Sequence, residues 1–382
     1  MGYLVPTQIK GSDLLANEKR HFVFLDGMRG IAALAVGCLH ASTFFNLRFE
    51  PHHASLAVDF FFALSGFVIA YAYDSKFRAG MTLADFAVKR LIRLYPLIFI
   101  GVLLGSVITV PLAIVTHGDL KLAVFLCLSA LFLLPLGIFF GQQSYPVNNP
   151  IWSLFLELIA NAVYGLSRGR QRPRSVLPLV ILGLSALALV VTIHHFLTIE
   201  DIGFTGRVRF ALGLVRVCFP FLAGVLIYRY RLFAPRFAYF DWLAALMLAA
   251  IFASPYFSKS WLYDSVSIVI VFPLLISLGA NDSTNSFANA VWKTSGNLSY
   301  PFYVVHQPII RAASILYQRS RVQGISPEAG ASAAILFAGA VSYFIFVVYD
   351  RPLRRWLTKV RERSIGRTAN DSATNQFATD KR

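Results

Sequence analysis

Two ionisable side chains, Arg29 and His40, flank an apolar run near the start of the chain. They are eleven residues apart, so a helix would place both on one face, about 16 Å apart along its axis. Ala33, Val36 and Gly37 lie between them on that face and allow a neighbouring helix or a thin ligand to approach. An ionisable group in an apolar run is a candidate functional residue, although a lone histidine can also simply form a hydrogen bond between helices.

Glu157 lies in another apolar run, at a depth comparable to that of His40. A carboxylate beside a histidine can fix its tautomer and raise its basicity, which is how the base of an acyl transfer is assembled. A carboxylate in lipid also requires a cation or a donor, so pairing with a buried arginine explains Glu157 equally well. Asn161, one turn further on, is a possible donor to it.

Arg90 and Arg93 lie three residues apart in Lys-Arg-Leu-Ile-Arg-Leu-Tyr-Pro, on one face at the start of a helix. The planar guanidinium group pairs bidentately with phosphate, which makes the two residues a candidate anion site. The alternative is an ordinary cytoplasmic anchor of a membrane segment.

Four further residues are candidates for substrate binding. His306 follows Tyr303 by three residues, on the same helical face, and either binds a ligand or packs with the tyrosine. Asp59 is expected at the outer start of a membrane segment, where hydration makes its charge inexpensive. Trp152 precedes Glu157 by five residues.

Ser65 and its neighbouring glycine indicate close helix packing and not a nucleophile, because no hydrolase elbow surrounds them.

No metal site is predicted. His52 and His53 are adjacent, as are His194 and His195, and adjacent histidines have poor geometry for a site on one helix face. The three cysteines lie in apolar runs without C-x-x-C spacing, so neither a disulfide framework nor a thiolate site is indicated.

The composition is that of a protein that crosses a membrane several times. Of 382 residues, 57% are hydrophobic and only 14% are charged, with a mean hydropathy of +0.62. One soluble core cannot bury this much apolar surface. The net charge of +16 comes mostly from Lys and Arg in short gaps between apolar runs, as positive-inside topology requires. We therefore predict an all-α polytopic membrane helix bundle with no nucleic-acid partner.

Ten transmembrane segments are predicted, with both termini in the cytoplasm. Basic residues before the first segment, Lys10, Lys19 and Arg20, place the N-terminus there. The segments lie at about 28–46, 56–73, 94–115, 151–166, 175–196, 208–228, 240–257, 261–279, 298–317 and 328–349. Ten crossings return the basic C-terminal cluster to the same side.

A further apolar run at 120–140 is long enough to cross, but the charges argue against it. If it crossed, the four arginines within 168–174 would lie outside, contrary to the positive-inside rule. We therefore predict that this run is re-entrant or lies on the surface. The resulting order is a cytoplasmic segment at 1–23, a transmembrane domain at 24–350 and a basic tail at 351–382, disordered at its end.

Together these motifs resemble acyltransferase family 3, whose membrane proteins transfer acyl groups, usually acetyl, to sugars and other acceptors. The resemblance begins at Leu25-Asp-Gly-Met-Arg-Gly-Ile-Ala-Ala, with ten residues between Arg29 and His40. It continues in the same order through 58–67, Arg90 and Arg93 before Leu94-Tyr-Pro, Trp152-Ser with Glu157, and 299–308 with His306. It covers residues 24 to about 350.

The resemblance implies that His40 is catalytic and that Arg29, Arg90 and Arg93 are needed for activity because they bind the acyl donor. Many relatives carry a second acidic residue next to the one that matches Glu157; this chain does not, which puts any role for two carboxylates in doubt.

In the mechanism that the resemblance implies, the enzyme binds an acyl-coenzyme A, with acetyl-CoA as the expected co-substrate, from the cytoplasmic side of a bacterial inner membrane. Its pantetheine arm runs along the small-residue face to His40, which Glu157 orients to take a proton from a glycan or glycolipid hydroxyl. A covalent acyl-histidine is a variant of this mechanism. A proton-coupled transporter or flippase is the alternative function. It predicts inverted repeats with paired broken helices, and we find none in the sequence. A third alternative, a non-catalytic scaffold, leaves the set of Arg29, His40 and Glu157 unexplained. The acceptor, the acyl chain and the oligomeric state stay open.

Overall fold

The computed structural model describes residues 22–167, 176–234, 239–280, 286–320 and 324–363. Within these ranges the chain forms α-helices joined by short turns and contains no named β-strand. The helices are α1 (Val23–Phe45), α2 (Ala57–Arg78), α3 (Leu83–Val115), α4 (Leu120–Leu131), α5 (Ile151–Ser167), α6 (Leu177–Phe196), α7 (Arg207–Arg229), α8 (Phe240–Ala253), α9 (Ser260–Val266), α10 (Phe272–Gly279), α11 (Ser286–Ser320) and α12 (Pro327–Ile345).

Short irregular helices complete the bundle. Two are 3-10 helices, His52–Leu56 before α2 and Leu136–Phe140 after α4. A π-helical turn, Ser267–Val271, joins α9 and α10 into one rod. A second, Phe346–Asp350, continues α12, and the helix extends to residue 363. The first part of the predicted basic tail is therefore helical.

The predicted polytopic helix bundle is confirmed. In the described part of the chain, seven helical segments are long and apolar enough to cross a membrane: Val23–Phe45, His52–Arg78, Leu83–Val115, Leu177–Phe196, Arg207–Arg229, Ser260–Gly279 and Pro327–Arg363. Three shorter apolar helices are α4, α5 and α8. The ten predicted crossings coincide with α1, α2, α3, α5, α6, α7, α8, the α9–α10 rod, α11 and α12. Residues 1–21, the arginines within 168–174, Arg236 and residues 364–382 lie outside the described ranges.

The run at 120–140 has the geometry of a re-entrant segment. Its helix, α4, has 12 residues and is about 18 Å long, short of the hydrocarbon core of about 30 Å. The Tyr95 hydroxyl, near the middle of α3, donates to the Leu131 carbonyl at 2.8 Å. The chain then turns back, and Val147 packs closely on Gly105, toward the end of α3. Residues 116–150 therefore leave α3 and enter α5 at the same end of the bundle.

Close helix packing holds the centre of the bundle together. Gly30 of α1 lies against Ser295 of α11, and Gly37 lies against the ring of Phe302. The small-residue face of α1 therefore accepts a neighbouring helix, so the predicted path for a pantetheine arm along that face is wrong. On the other side, Gly66 of α2 touches the backbone of α7, as predicted for this glycine.

Candidate active site

The three predicted arginines converge on one cavity, which we call the basic cavity. Arg29, Arg90, Arg93 and Glu157 line it, and its volume is about 80 Å³. Arg29 comes from α1, Arg90 and Arg93 from the start of α3, and Glu157 from the middle of α5. The periodicity of α3 brings its two arginines to the same wall, as their spacing predicts.

Glu157 is bound within this cavity by two groups. Its Oε1 lies 2.9 Å from Nη2 of Arg90 and accepts a hydrogen bond of 2.6 Å from the Ser65 hydroxyl. The structure therefore shows the pairing with a buried arginine, and the predicted orientation of His40 by Glu157 is wrong. The reason is the position of α3, which brings Arg90 to the carboxylate.

The basic cavity carries an excess of positive charge. Arg29 Nη2 pairs with Asp26 at 2.7 Å, one turn earlier on α1. Within the described ranges Arg93 has no ion-pair partner, and the buried Nε atoms of Arg29 and Arg90 have no hydrogen-bond acceptor. The charges of Arg29 and Arg90 each interact with those of Arg93 and Glu157. Such a set of unused guanidinium donors suits a phosphate-bearing ligand.

His40 lies in a second cavity, which we call the histidine cavity. Its wall includes His40, Asn149, Trp152 and Glu200, and its volume is about 160 Å³. Among the described residues no group is hydrogen-bonded to the imidazole of His40. The imidazole stacks on the ring of Phe44, with ring centroids 6.0 Å apart. The ring is therefore free to exchange a proton with a ligand in this cavity.

His306 lies beside His40, with ring centroids 5.3 Å apart. Its Nδ1 lies 2.9 Å from the Phe302 carbonyl, which can only accept, so Nδ1 carries the proton. Nε2 then presents a lone pair, and it is buried without a partner in the described structure. The two predicted histidines, 266 positions apart, are thus brought together by the packing of α1 against α11.

The two cavities meet inside the bundle. Val58 of α2 and Tyr303 of α11 line both of them. Tyr303 is 4% exposed, and its hydroxyl lies 2.7 Å from that of Ser153. The predicted Tyr303 therefore stands between the arginines and His40.

Asp59 differs from its prediction. It is fully buried, and its carboxylate forms a bidentate ion pair with Arg216 of α7, with bonds of 3.0 and 2.7 Å. The expected hydration is therefore wrong, since an arginine compensates the charge. The predicted Trp152 lies beside this pair, with its ring 5.2 Å from the Arg216 guanidinium.

Arg216 is a buried residue of the site that is not among the predicted site residues, although its position in the sequence marks it as a candidate. Arg216 lies near the middle of an apolar segment, and a charge at that depth requires a partner. Its guanidinium is one of the largest fully buried groups in the described structure. It lines the histidine cavity and fixes the wall on which Asp59 and Trp152 lie.

The adjacent histidines lie at the His40 end of the bundle. His52 Nδ1 is 2.9 Å from Glu200 Oε2, and His53 Nε2 is 3.6 Å from Asp264 Oδ1. Each histidine pairs with a different carboxylate, and within the described ranges no three such groups are placed to hold a metal ion. Glu200, which is not among the predicted site residues, lines the histidine cavity.

Two asparagines tie the loop before α5 to α11. Asn148 Nδ2 donates to the Val304 carbonyl at 2.8 Å. This carbonyl has no helical hydrogen bond, because the residue four positions later, Pro308, has no N–H. The backbone N–H of Asn149 donates to Gln307 Oε1 at 3.3 Å. Neither asparagine is predicted from the sequence, because both precede the apolar run of α5.

Comparison with known proteins gives a family and one curated relative. The model of acyltransferase family 3, described as an acyltransferase domain, matches residues 22–351. Over 190 residues the chain is 38% identical to a Rhizobium radiobacter protein described as protein 2 in the picA locus, covering 46% of this chain and 96% of the relative. No solved structure matches. The residues matched by the family model include the walls of both cavities.

Proposed function

Because the chain belongs to acyltransferase family 3 and is a membrane acyltransferase, we propose that it transfers an acyl group from acyl-coenzyme A to a hydroxyl of a cell-surface or exported glycan. The acyl group we propose is acetyl. The observation that carries the proposal is that the basic cavity and the histidine cavity meet at Val58 and Tyr303. A donor and an acceptor can thus approach one reaction centre from opposite ends.

The donor binds at the basic cavity. Coenzyme A carries phosphate groups at one end and its thioester at the other, so its anionic part requires cations at a distance from the reaction centre. Arg93 offers a guanidinium without an ion-pair partner in the described structure, and the Nε atoms of Arg29 and Arg90 are unused. The thioester end then extends past Tyr303 toward His40.

His40 is the base in the proposed reaction. The acceptor hydroxyl oxygen forms a bond to the thioester carbonyl carbon and the carbon–sulfur bond breaks. The hydroxyl proton passes through His40 to the departing thiolate, which leaves as the free thiol. His306 holds its ring beside His40 through the Nδ1 bond to Phe302, and its free Nε2 lone pair adds an acceptor to this region.

The acceptor binds at the histidine cavity. Thr43, Gln143, Asn149 and Glu200 supply polar groups to its wall, and Trp152 supplies an aromatic ring. Amide, hydroxyl and carboxylate groups recognise hydroxylated ligands through hydrogen bonds. This mixture supports a sugar hydroxyl over an apolar alcohol as the acceptor.

The enzyme resides in the bacterial inner membrane with both termini in the cytoplasm. In support, α1 starts at the end of the bundle where the basic cavity lies, and the extension of α12 reaches the same end, where Arg361 pairs with Asp85 at the start of α3. Basic residues are concentrated there, as the positive-inside rule requires of a cytoplasmic side. The basic cavity then faces the compartment that contains acyl-CoA.

The test is transfer of label from radiolabelled acetyl-CoA in membranes that contain the wild type, His40→Ala or His195→Ala, followed by fractionation of the glycans. His195 is exposed and lies outside both cavities, so it serves as the matched histidine control. We expect labelled glycan with the wild type and His195→Ala and none with His40→Ala. Equal labelling by His40→Ala would refute the assignment of the base, and no labelling by a wild type that is present in the membrane would refute the donor.

A further inference from the structure

The side chains that separate the two cavities form a narrow partition. We use this name for Val58 and Tyr303, the two residues that line both cavities. Val58 is 5% exposed and Tyr303 is 4% exposed. They project from different helices, α2 and α11, so the distance between the two side chains is set by helix packing.

The position of Tyr303 is fixed by its contacts. Ser153 donates its hydroxyl proton to the Pro150 carbonyl at 3.0 Å, so the Tyr303 hydroxyl is the donor in its 2.7 Å bond to Ser153. The edge of its ring packs on Phe61, with centroids 5.2 Å apart. A ring held by a hydrogen bond and by an aromatic neighbour cannot swing aside without loss of both contacts.

We propose that Val58 and Tyr303 select the length of the acyl group. This inference rests on the proposed function, in which the donor phosphates occupy the basic cavity and the thioester reaches His40. The acyl group is the leading end of the donor, so it must pass between Val58 and Tyr303 before the carbonyl carbon reaches the acceptor. A short acyl group passes, and each added methylene must displace a buried side chain.

The expected discrimination follows from the energetics of apolar pockets. One methylene group that a pocket does not accommodate changes kcat/KM by about 10–200-fold. Butyryl-CoA has two methylenes more than acetyl-CoA, so we expect the wild type to prefer acetyl-CoA by at least about tenfold. Removal of side-chain atoms from the partition should reduce this preference.

The experiment compares radiolabelled acetyl-, butyryl- and hexanoyl-CoA as donors to the endogenous glycans of membranes that contain the full chain. The variants are Val58→Ala and Tyr303→Ala. Val163→Ala is the matched control, because Val163 is exposed on α5 and lines neither the basic cavity nor the histidine cavity. The measured quantity is the ratio of kcat/KM for butyryl-CoA to that for acetyl-CoA, which a general loss of folded protein does not change.

We expect the ratio to rise about tenfold or more in Val58→Ala and Tyr303→Ala and to stay at the wild-type value in Val163→Ala. If Tyr303→Ala is absent from the membrane, Val58→Ala carries the test alone. An unchanged ratio in Val58→Ala with acetyl transfer retained would overturn the inference, as would a wild type that uses hexanoyl-CoA as well as acetyl-CoA. Failure of the proposed function has a different result, namely a wild type that transfers no label from any of the three donors, and it would overturn the inference as well.

Discussion

Replacement of either member of the Asp59–Arg216 pair tests whether the pair is structural. Both side chains are almost fully buried, with Asp59 at 0% and Arg216 at 1% exposure. Besides its two bonds to Asp59, the guanidinium donates to the carbonyls of Ile199 at 2.9 Å, Ile202 at 2.7 Å and Ser55 at 2.9 Å. All of its N–H groups are therefore used, and they connect α2, α7 and the turn after α6.

The magnitude follows from which groups each change leaves unpaired. Asp59→Asn leaves the Arg216 charge buried without its counter-ion, at a cost of about 3–5 kcal/mol in the free energy of unfolding. Arg216→Met leaves the Asp59 charge and also three carbonyls, each of which costs about 1–3 kcal/mol if it stays dry. We therefore expect Arg216→Met to be the more destabilising single change.

The double variant separates the two contributions. With Asp59→Asn and Arg216→Met together no charge stays buried, so the loss should be smaller than the sum of the single losses by about 2–3 kcal/mol. The carbonyl contribution persists, so the double variant should stay less stable than the wild type. The assay is unfolding of the detergent-solubilised proteins under one set of conditions, with acceptor KM measured on the same preparations.

A different result would return Asp59 to the substrate-binding role that the sequence predicts. In that case Asp59→Asn would be as stable as the wild type and would raise acceptor KM, and the double variant would show no coupling. A substrate ligand loses affinity when it is changed, whereas a structural ion pair loses stability.

Two further predictions concern Glu157 and the packing of α2. Glu157→Gln keeps the Oε1 acceptor that Ser65 and Arg90 share and removes the charge that pairs with Arg90. We expect kcat and donor KM to change by less than about tenfold, while His40→Ala abolishes transfer. Equal inactivity of the two variants in the label-transfer assay would show that Glu157 acts in the reaction and does not only hold Arg90. Gly66→Ala places a methyl group against the backbone of α7 and should lower the free energy of unfolding by about 1–3 kcal/mol. The methyl group of Gly183→Ala meets no atom within 4 Å, so this variant should be as stable as the wild type or more stable by up to about 1 kcal/mol. A thermal melt in detergent compares the two, and a loss of stability at Gly183→Ala equal to that at Gly66→Ala would show that close packing is not the cause.

The bundle has one specific helix arrangement because buried polar groups bond to each other between its helices. These groups lie where α1, α2, α5, α7 and α11 meet. Apolar faces can pack in several arrangements, because lipid tails solvate them as well as other helices do. The bidentate bond from Arg216 to Asp59 and the bond from Asn148 to Val304 each require one partner at one distance. We infer that these bonds select the helix arrangement that creates the two cavities.

The membrane class and the positions of most helices could be predicted from the sequence, because hydrophobic length and flanking charge act locally along the chain. The same holds for the re-entrant segment at 120–140, where the arginines of a later loop excluded a crossing. The shared face of Arg90 and Arg93 also follows from helical periodicity alone. Each of these inferences needs only the order of apolar runs and charges along the chain.

Only the tertiary structure decided which charge pairs with which. Glu157 is 67 positions from Arg90 and Asp59 is 157 positions from Arg216, and no periodicity relates residues on different helices. The sequence therefore showed that each buried charge needs a partner, but it left Glu157 between His40 and an arginine and left Asp59 to water. The physical reason is that the cost of a bare charge in an apolar medium is a property of the residue, whereas the identity of its partner depends on how the helices cross.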